Sequence, residues 1–455
     1  MKPFSKYLLL PLTMFSLLAC HSKETVQLSR LTTPKLEKIS STFNNEMSQV
    51  SYNSYSAFAK KFAKLAIETT NEGGEESLGV SIPDAYLCLA ISAVISDDEA
   101  RSDVLSYLEL NSIEDLRTSV KDIVRTLCTL YKNRNNKLQG GYNLNSIWLD
   151  PTQMELVKEK DEQLYKDLEE IFDASTYMEA LTTDKVKDYL KENGLKDMPT
   201  PDVKLNDEQP PAMGVMSVYY CLDYFEEETK LYYKRQYDSG THKMDYEYNG
   251  TTTKVNYIQE VRNENVYEGT KFFGADLPIQ NLKMTYFLPN SKTAMPSTIL
   301  GDALDGNYHL KESQYTDYDG SIRETTTHEV NISAPYFSLD NKIELEHNTL
   351  KSILPKITKK GAGARMAKSI YNYDVFLSYI KQFSVMKFNY DGFYSCSVTI
   401  AGYDANSAMP LELEKFDLKL DHPYIFEVQK NIRVNDNYYN LPIVVGEIVN
   451  PNYQD

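Results

Sequence analysis

Apolar residues recur at helical spacing through the first part of the chain and alternate through much of the rest. Residues 56–68 carry Phe58, Phe62, Leu65 and Ile67 on one face, predicting a helix that stops before Asn71-Glu72-Gly73-Gly74. Residues 83–95 are apolar nearly all round, as a helix enclosed on every side requires. Asp97, Asp98 and Glu99 open an amphipathic helix through Val104, Leu105 and Leu108, with carboxylates at the favourable end of the helix dipole. Residues 113–131, 154–172 and 183–193 keep the helical period, interrupted by an alternating strand at 142–149. After Pro210-Pro211 the texture changes. Residues 213–225, 231–237, 243–248, 252–258 and 282–288 predict strands, and Asn249-Gly250 predicts a turn. No Pro/Gly/Ser-rich linker divides the two textures, so the chain reads as one α+β domain, helical first and sheet-rich later.

The run 382–399 stands apart from these elements. It contains no proline, is rich in aromatic and β-branched residues, and exceeds the ~5–6 residues of an ordinary strand. Two arrangements fit it. One is a hairpin of 383–388 with 393–400, turning at Asn389-Tyr390-Asp391-Gly392. The other is a strand whose continuation beyond Gly392 is held out as a loop able to join the sheet. The alternate positions Ser395, Ser397 and Thr399 are small enough to slide between existing strands. Residues 401–414 are polar, small and expected to be exposed.

Composition narrows the function classes. The chain has 455 residues, 42% hydrophobic and 25% charged, which excludes a collagen-like or wholly disordered protein. A formal charge of −17 argues against a nucleic-acid partner, because phosphate neutralisation needs a basic surface. The 35 tyrosines against a single Trp148 suit pleated, half-buried surfaces.

At the start, Lys2 and Lys6 precede a short apolar run ending Leu17-Leu18-Ala19-Cys20, which reads as a signal peptide over residues 1–19. The small residue before Cys20 resembles the bacterial lipobox, so Cys20 is the expected lipidation site. Residues 20–49 then form a flexible tether, and 50–455 the domain. The expected location is the bacterial cell envelope, with the domain lipid-anchored to the outer membrane or cell surface and facing the periplasm or exterior. Cys88, Cys128, Cys221 and Cys396 are an even number and permit two disulfides in an exported protein, but the first three lie in apolar or aromatic runs and read as free, buried thiols.

The chain contains no Gly-rich phosphate loop, no His-Glu-x-x-His, no Gly-x-Ser-x-Gly and no His or Cys pair at metal-ligand spacing. No catalytic residue, metal or cofactor is therefore assigned, and the protein is not expected to be an enzyme.

The C-terminal third supplies a more specific signal. Leu418-Lys419-Leu420-Asp421-His422-Pro423-Tyr424-Ile425-Phe426-Glu427-Val428 closely resembles the C-terminal signature of the serpin family, with Tyr424 where the family usually has Phe. Leu441-Pro442-Ile443-Val444-Val445-Gly446-Glu447-Ile448-Val449-Asn450-Pro451 is similar to that family's last buried strand. Upstream, in the same order as in the family, Val80-Ser81-Ile82-Pro83 resembles its buried-helix start and Asn145-Ser146-Ile147-Trp148-Leu149 its Asn-x-Leu-Phe strand. Tyr286-Phe287-Leu288-Pro289-Asn290 resembles its Phe-x-Leu-Pro-Asp segment.

The resemblance implies a serpin-like α+β fold of three β-sheets and eight or nine helices with an exposed reactive-centre loop. It also implies a covalent protease trap: the loop is cleaved, the protease is left acylated on it, and the freed loop inserts as a central strand. By this resemblance Gly392, Phe393, Tyr394 and Ser395 form the hinge, and 393–399 the insertable segment. Counting along the usual loop from Gly392 places the reactive bond at Asn406–Ser407, whereas counting back from Pro423 lands near Glu412. No basic residue precedes either position. The expected partner is a serine or cysteine protease that is not trypsin-like, met by a monomer held at a membrane by its lipid. The alternative is a non-inhibitory surface lipoprotein of the same fold that binds a partner or serves only as a protease substrate.

Several residues depart from the family pattern. Inhibitory members carry Thr or Ser and then Ala after the hinge glycine, where this chain has Phe393 and Tyr394. Inserting Phe393 would bury a ring where a small group is usual, an overpacking cost of ~1–3 kcal/mol. Tyr390 replaces an acidic residue and Phe225 a tryptophan. Ile82, Ala85, Ser217 and Gln382 replace the polar cluster that governs sheet opening.

Overall fold

The uniformly apolar segment forms a helix where its pattern predicts one, Ile82–Ile95, with Pro83 in the first turn, where its missing N–H costs nothing. Only Asp84 and Cys88 on this helix are less than fully buried. The structure, a computed structural model, describes residues 45–71, 75–96, 98–132, 137–152, 162–195, 198–317, 320–359, 375–395 and 412–453.

In chain order the first elements are α1 (Gln49–Thr70), β1 (Leu78–Ser81), α2 (Ile82–Ile95), α3 (Asp98–Tyr107), α4 (Ile113–Leu127), β2 (Leu130–Lys132) and β3 (Leu138–Leu149). Next come α5 (Glu162–Glu170), β4 (Ala174–Tyr177), α6 (Thr183–Asn193), β5 (Met213–Tyr224) and α7 (Glu227–Asp238). The following group is β6 (Lys243–Tyr248), β7 (Thr251–Gly269), β8 (Phe272–Pro278), β9 (Lys283–Pro289), α8 (Ser297–Asp305), β10 (Tyr308–Leu310), β11 (Ser313–Thr316) and β12 (Ile322–Thr325). The chain ends with β13 (Thr327–Pro335), β14 (Phe337–Glu346), α9 (His347–Ile353), β15 (Tyr379–Asn389), β16 (Gly392–Ser395), β17 (Glu412–Leu413), β18 (Lys415–Lys419), β19 (Tyr424–Val434) and β20 (Asn437–Ile448).

These described elements make three sheets, as expected for the α+β fold. The first has the order β14-β15-β16-β5-β3-β2, with β4 on β3. The second runs β1-β20-β19-β9-β8-β7-β13-β18, with β6 and β10 also on β7. The third is the small β12-β11-β17 sheet. One large core joins α1, α2 and α4 to the inner faces of the two large sheets, through Phe58, Leu87, Phe388, Phe426 and Val444 among others. A satellite core around Trp148, Tyr177 and Tyr189 fills the space between β3, β4 and α6.

Two expectations are corrected. Residues 231–237 are not a strand but the middle of α7. Glu227 and Glu228 open that helix and only Tyr233 is buried along it, so its aromatic residues lie on a surface helix. The helix expected to reach residue 131 ends at Leu127. Cys128 caps it, and Leu130–Lys132 pair with β3 as a strand. The helix read at 154–172 is described only at Glu162–Glu170. Of the expected tether, residues 45–49 lie against the body: the Met47 amide donates to the Arg433 carbonyl at 2.9 Å and the Arg433 amide to the Asn45 carbonyl at 2.7 Å. Cys88, Cys128 and Cys221 carry thiols, not disulfides.

Candidate functional site

Both arrangements left open for 382–399 are partly realised. β15 and β16 form a hairpin through Tyr390-Asp391, with Asn389 opposite Gly392, Phe388 opposite Phe393 and Met386 opposite Ser395. The second arm of that hairpin is also paired on its other side, with Gly392 opposite Tyr224, Phe393 opposite Asp223 and Ser395 opposite Cys221. The four hinge residues named from the sequence are thus a short central strand.

Local chemistry sets this turn. Gly392 has φ +135°, and a Cβ there would run into the Asp223 carbonyl oxygen, so glycine is required. The Asn389 side chain accepts from the Asp391 amide at 2.8 Å. The Phe225 amide donates to the Asp391 carbonyl at 3.0 Å, and Lys230 pairs with the Asp391 carboxylate. Phe393 and Ser395 are wholly buried while Tyr394 is half-buried, as strand alternation demands. The ring expected to overpack the sheet is accommodated: Phe393 joins the main core together with Phe388 and Phe225.

Aromatic packing replaces the family's acid and tryptophan around this turn. Tyr390 lies 5.3 Å from Tyr237 and 6.3 Å from Tyr336, by ring centroids. Tyr453, near the chain's end, lies 5.5 Å from Tyr336 and 6.0 Å from Tyr237. Asn389 donates to the Tyr453 hydroxyl at 2.8 Å, tying the turn to the C-terminal segment. Phe225 meets Tyr233 and Phe388 edge-on.

Asp223 anchors the same end of β5. Its carboxylate accepts five hydrogen bonds: from the Gln280, Asn281 and Leu282 amides and from the Gln139 and Asn281 side chains, at 2.6–3.2 Å. Complete burial pushes it up to about 6, and these donors restrain the rise.

Below Ser395 the sheet opens. Among the described residues β5 and β15 pair with β16 but not with each other. A cavity of about 380 Å³ lies between residues 213–219 of β5 and 379–383 of β15, floored by Asp84, Ala85 and Cys88 of α2. Each wall satisfies its own polar groups. On β5, Ser217 donates to the Asn145 side chain at 2.7 Å. On β15, Gln382 accepts from the Ser81 amide at 2.9 Å and donates to the Ser81 carbonyl at 2.7 Å and to Asp84 at 3.3 Å. Burial pushes the Asp84 carboxyl up to about 7 and the Cys88 thiol up to about 12.

The chain is described again from Glu412. Glu412 and Leu413 pair with Thr316 and Tyr315, and β18 then runs parallel to β13. Asn406, Ser407 and Cys20 lie outside the described residues. The sequence reading missed Asp223, Asp84 and the tyrosine cluster. A carboxylate within the aromatic run 219–225 was the one available signal.

No protein-family model matches the sequence, and no curated protein matches it significantly. Solved structures do. Native tengpin, a thermophilic serpin, aligns over 93% of this chain and all of its own, with a TM-score of 0.62 and 17% identity. Its latent state aligns over 88% and 98%, with a TM-score of 0.58 and 17% identity. Cleaved Serpin 42Da aligns over 89% and 100%, with a TM-score of 0.60 and 13% identity. At such identities the likeness is one of fold, and the fold is that of the serpins.

Proposed function

From the serpin fold and the seam beside β16 we infer that this protein is a protease trap. A protease attacks the loop at Asn406–Ser407 and is held as an acyl-enzyme on the Asn406 carbonyl, with Ser407 leaving as a new amine. The freed segment then lengthens β16 into the cavity below it. Cys20, lipidated, holds the trap at the bacterial cell envelope. The target is a serine or cysteine protease that does not require a basic residue before the cut.

One observation carries this reading: the first residues of the insertable segment are already paired on both flanks, above an open seam between the same two strands. Continuing the register sets Ser397 between Ser384 and Tyr219, and Thr399 between Gln382 and Ser217, so small or hydroxylated side chains would meet the polar pair now bonded to its own walls. About eight further residues fit along residues 213–220 of β5, whose β15-facing edge has no partner among the described residues. With ~1 kcal/mol net for each new ladder hydrogen bond, insertion on the order of 10 kcal/mol is reasonable. That matches the ~5–15 kcal/mol stability of a typical protease domain, enough to distort one. The pairing of Glu412–Leu413 with β11 favours Asn406–Ser407 over a bond near Glu412, because a paired strand is a poor protease substrate.

The test is incubation with subtilisin-like and elastase-like proteases, read by denaturing gel and by melting of the cleaved product. Expected are a covalent band at the summed mass and a large rise in melting temperature after loop cleavage. Cleavage with neither effect would leave the substrate-only or partner-binding reading.

A further inference from the structure

Away from this seam, residues 45–47 join the body at one well-defined place. Glu46 bridges to Arg433 in parallel register, and Arg125 and Thr126, at the end of α4, donate from their side chains to the Glu46 carbonyl at 3.0 and 3.2 Å. The chain upstream, Cys20 included, therefore meets the body beside the Asn435-Asp436 turn between β19 and β20.

Two exposed apolar side chains flank this junction. Tyr438, the second residue of β20, is 60% exposed, and Val50, in the first turn of α1, is 46% exposed. Their elements are joined there: the Asn435 side chain donates to Gln49 at 3.4 Å, and the Tyr52 and Tyr439 rings lie 4.7 Å apart. Tyr439 packs against the core, so strand alternation turns Tyr438 outward, next to its cross-strand partner Arg433. The charges balance. Arg433 pairs with Glu46 and Asp436, Arg125 pairs with Asp122, and Lys121 is exposed one turn before Arg125. On a chain of formal charge −17, this end is close to neutral.

A tyrosine with an apolar body and a polar tip suits the boundary between lipid and water. A locally balanced patch also escapes the repulsion that an acidic surface meets at anionic headgroups. We propose that this end of the molecule docks on the lipid surface, with Tyr438 and Val50 at headgroup level and Arg433 and Arg125 towards the phosphates. The proposal rests on the reading of Cys20 as a lipid anchor. Taken as a random coil, residues 21–44 span ~25–30 Å, so the anchored end meets the bilayer at an effective concentration of about a millimolar. Contacts too weak to hold a free protein then suffice to orient a tethered one.

The experiment holds the chain from residue 21, with a hexahistidine in place of residues 1–20, on vesicles of equal parts phosphatidylethanolamine and phosphatidylglycerol containing a nickel-chelating lipid. Tyr438→Trp and Ile322→Trp, the latter at an exposed position outside this patch, are read by quenching with brominated lipid over the baseline of buried Trp148. Expected is loss of about half of the added emission in Tyr438→Trp and none in Ile322→Trp. Amide exchange at residues 435–439 should slow about threefold or more on vesicles relative to the free chain, and Val50→Ser with Tyr438→Ser should abolish the slowing without lowering the melting temperature. Equal quenching at both positions, or none at 438, overturns the proposal. So does protection of 435–439 that is the same in the free chain, because residues 21–44 would then cover the patch themselves. The chelating lipid stands in for the anchor, so these outcomes are independent of Cys20 lipidation and of trapping, which the mass of the N-terminal fragment and the denaturing gel report separately.

Discussion

Phe393 and Asp223 face each other across the β16–β5 pairing, a wholly buried ring beside a wholly buried carboxylate. The ring is admitted because Asp223 turns its oxygens to the 280–282 turn and to Gln139, leaving the sheet's inner face apolar. β16 is therefore held by side-chain packing as well as by backbone pairing.

Gly392 is where that seating is most vulnerable. Gly392→Ala combines a left-handed φ with a collision against the Asp223 carbonyl, so it should cost roughly 1–3 kcal/mol. Hydrogen exchange should show the Phe393–Ser395 amides losing protection more than the β19–β20 ladder. Equal loss in both places would mean general destabilisation and no special role for the turn.

Tyr453 offers a gentler probe. Tyr453→Ala removes ring contacts to Tyr237 and Tyr336 and the hydroxyl that accepts from Asn389. Aromatic pairs contribute about 0.5–1.5 kcal/mol each, so exchange at the hinge amides should quicken by roughly tenfold while global melting shifts little. Tyr453→Phe should recover most of the protection, the difference reporting the Asn389 hydrogen bond.

Much of this arrangement was legible in advance, and the exceptions share a cause. The buried helix was legible from the all-round apolar run of 83–95, and the last buried strand through the family resemblance of 441–451; a helix and strands β19 and β20 are found there. Residues 231–237 misled because Tyr232, Tyr233 and Tyr237 favour strands intrinsically, whereas their position after Glu227-Glu228 and on the surface selects a helix. The tyrosine cluster joins Tyr237 of α7, Tyr336 between β13 and β14, Tyr390 of the β15–β16 turn and Tyr453 of the C-terminal segment, a juxtaposition no local pattern records. The hairpin and the central strand looked like rivals because period-two alternation specifies a face but not a neighbour.

Buried carboxyls give the stability a definite pH profile. Burial pushes Asp84, Glu264, Glu427 and Glu447 up to about 7 and Asp223 up to about 6. Their unfolded counterparts titrate near 4, so between about pH 4 and 7 the folded chain holds more protons and stability falls as pH rises. Lys430 acts in the opposite sense. Burial pushes it down to about 7 from 10.5, so above neutrality the unfolded chain holds the extra proton and stability rises with pH. Melting at constant ionic strength should therefore show a minimum near neutrality. Lys430→Met should flatten the alkaline limb and Asp84→Asn should remove part of the acid one; a steady rise from pH 4 to 7 would contradict this assignment.

The strand parity of β16 yields the sharpest test of the trap. Phe393 and Ser395 point into the core and Tyr394 points outward, so continuation of the same register sends Ser397 and Thr399 inward and Cys396 and Val398 outward. Thr399→Arg would then force a cation between Ser217 and Gln382, above the Asp84 floor, whereas Val398→Arg would leave its charge in solvent. Both variants should be cleaved at the loop as readily as the parent, since neither residue is at the reactive bond. After cleavage Val398→Arg should gain the parent's rise in melting temperature and Thr399→Arg should lose most of it, along with the covalent protease complex. Equal behaviour of the two would mean that the segment beyond Ser395 never enters the seam, whatever the sheet's readiness to receive it.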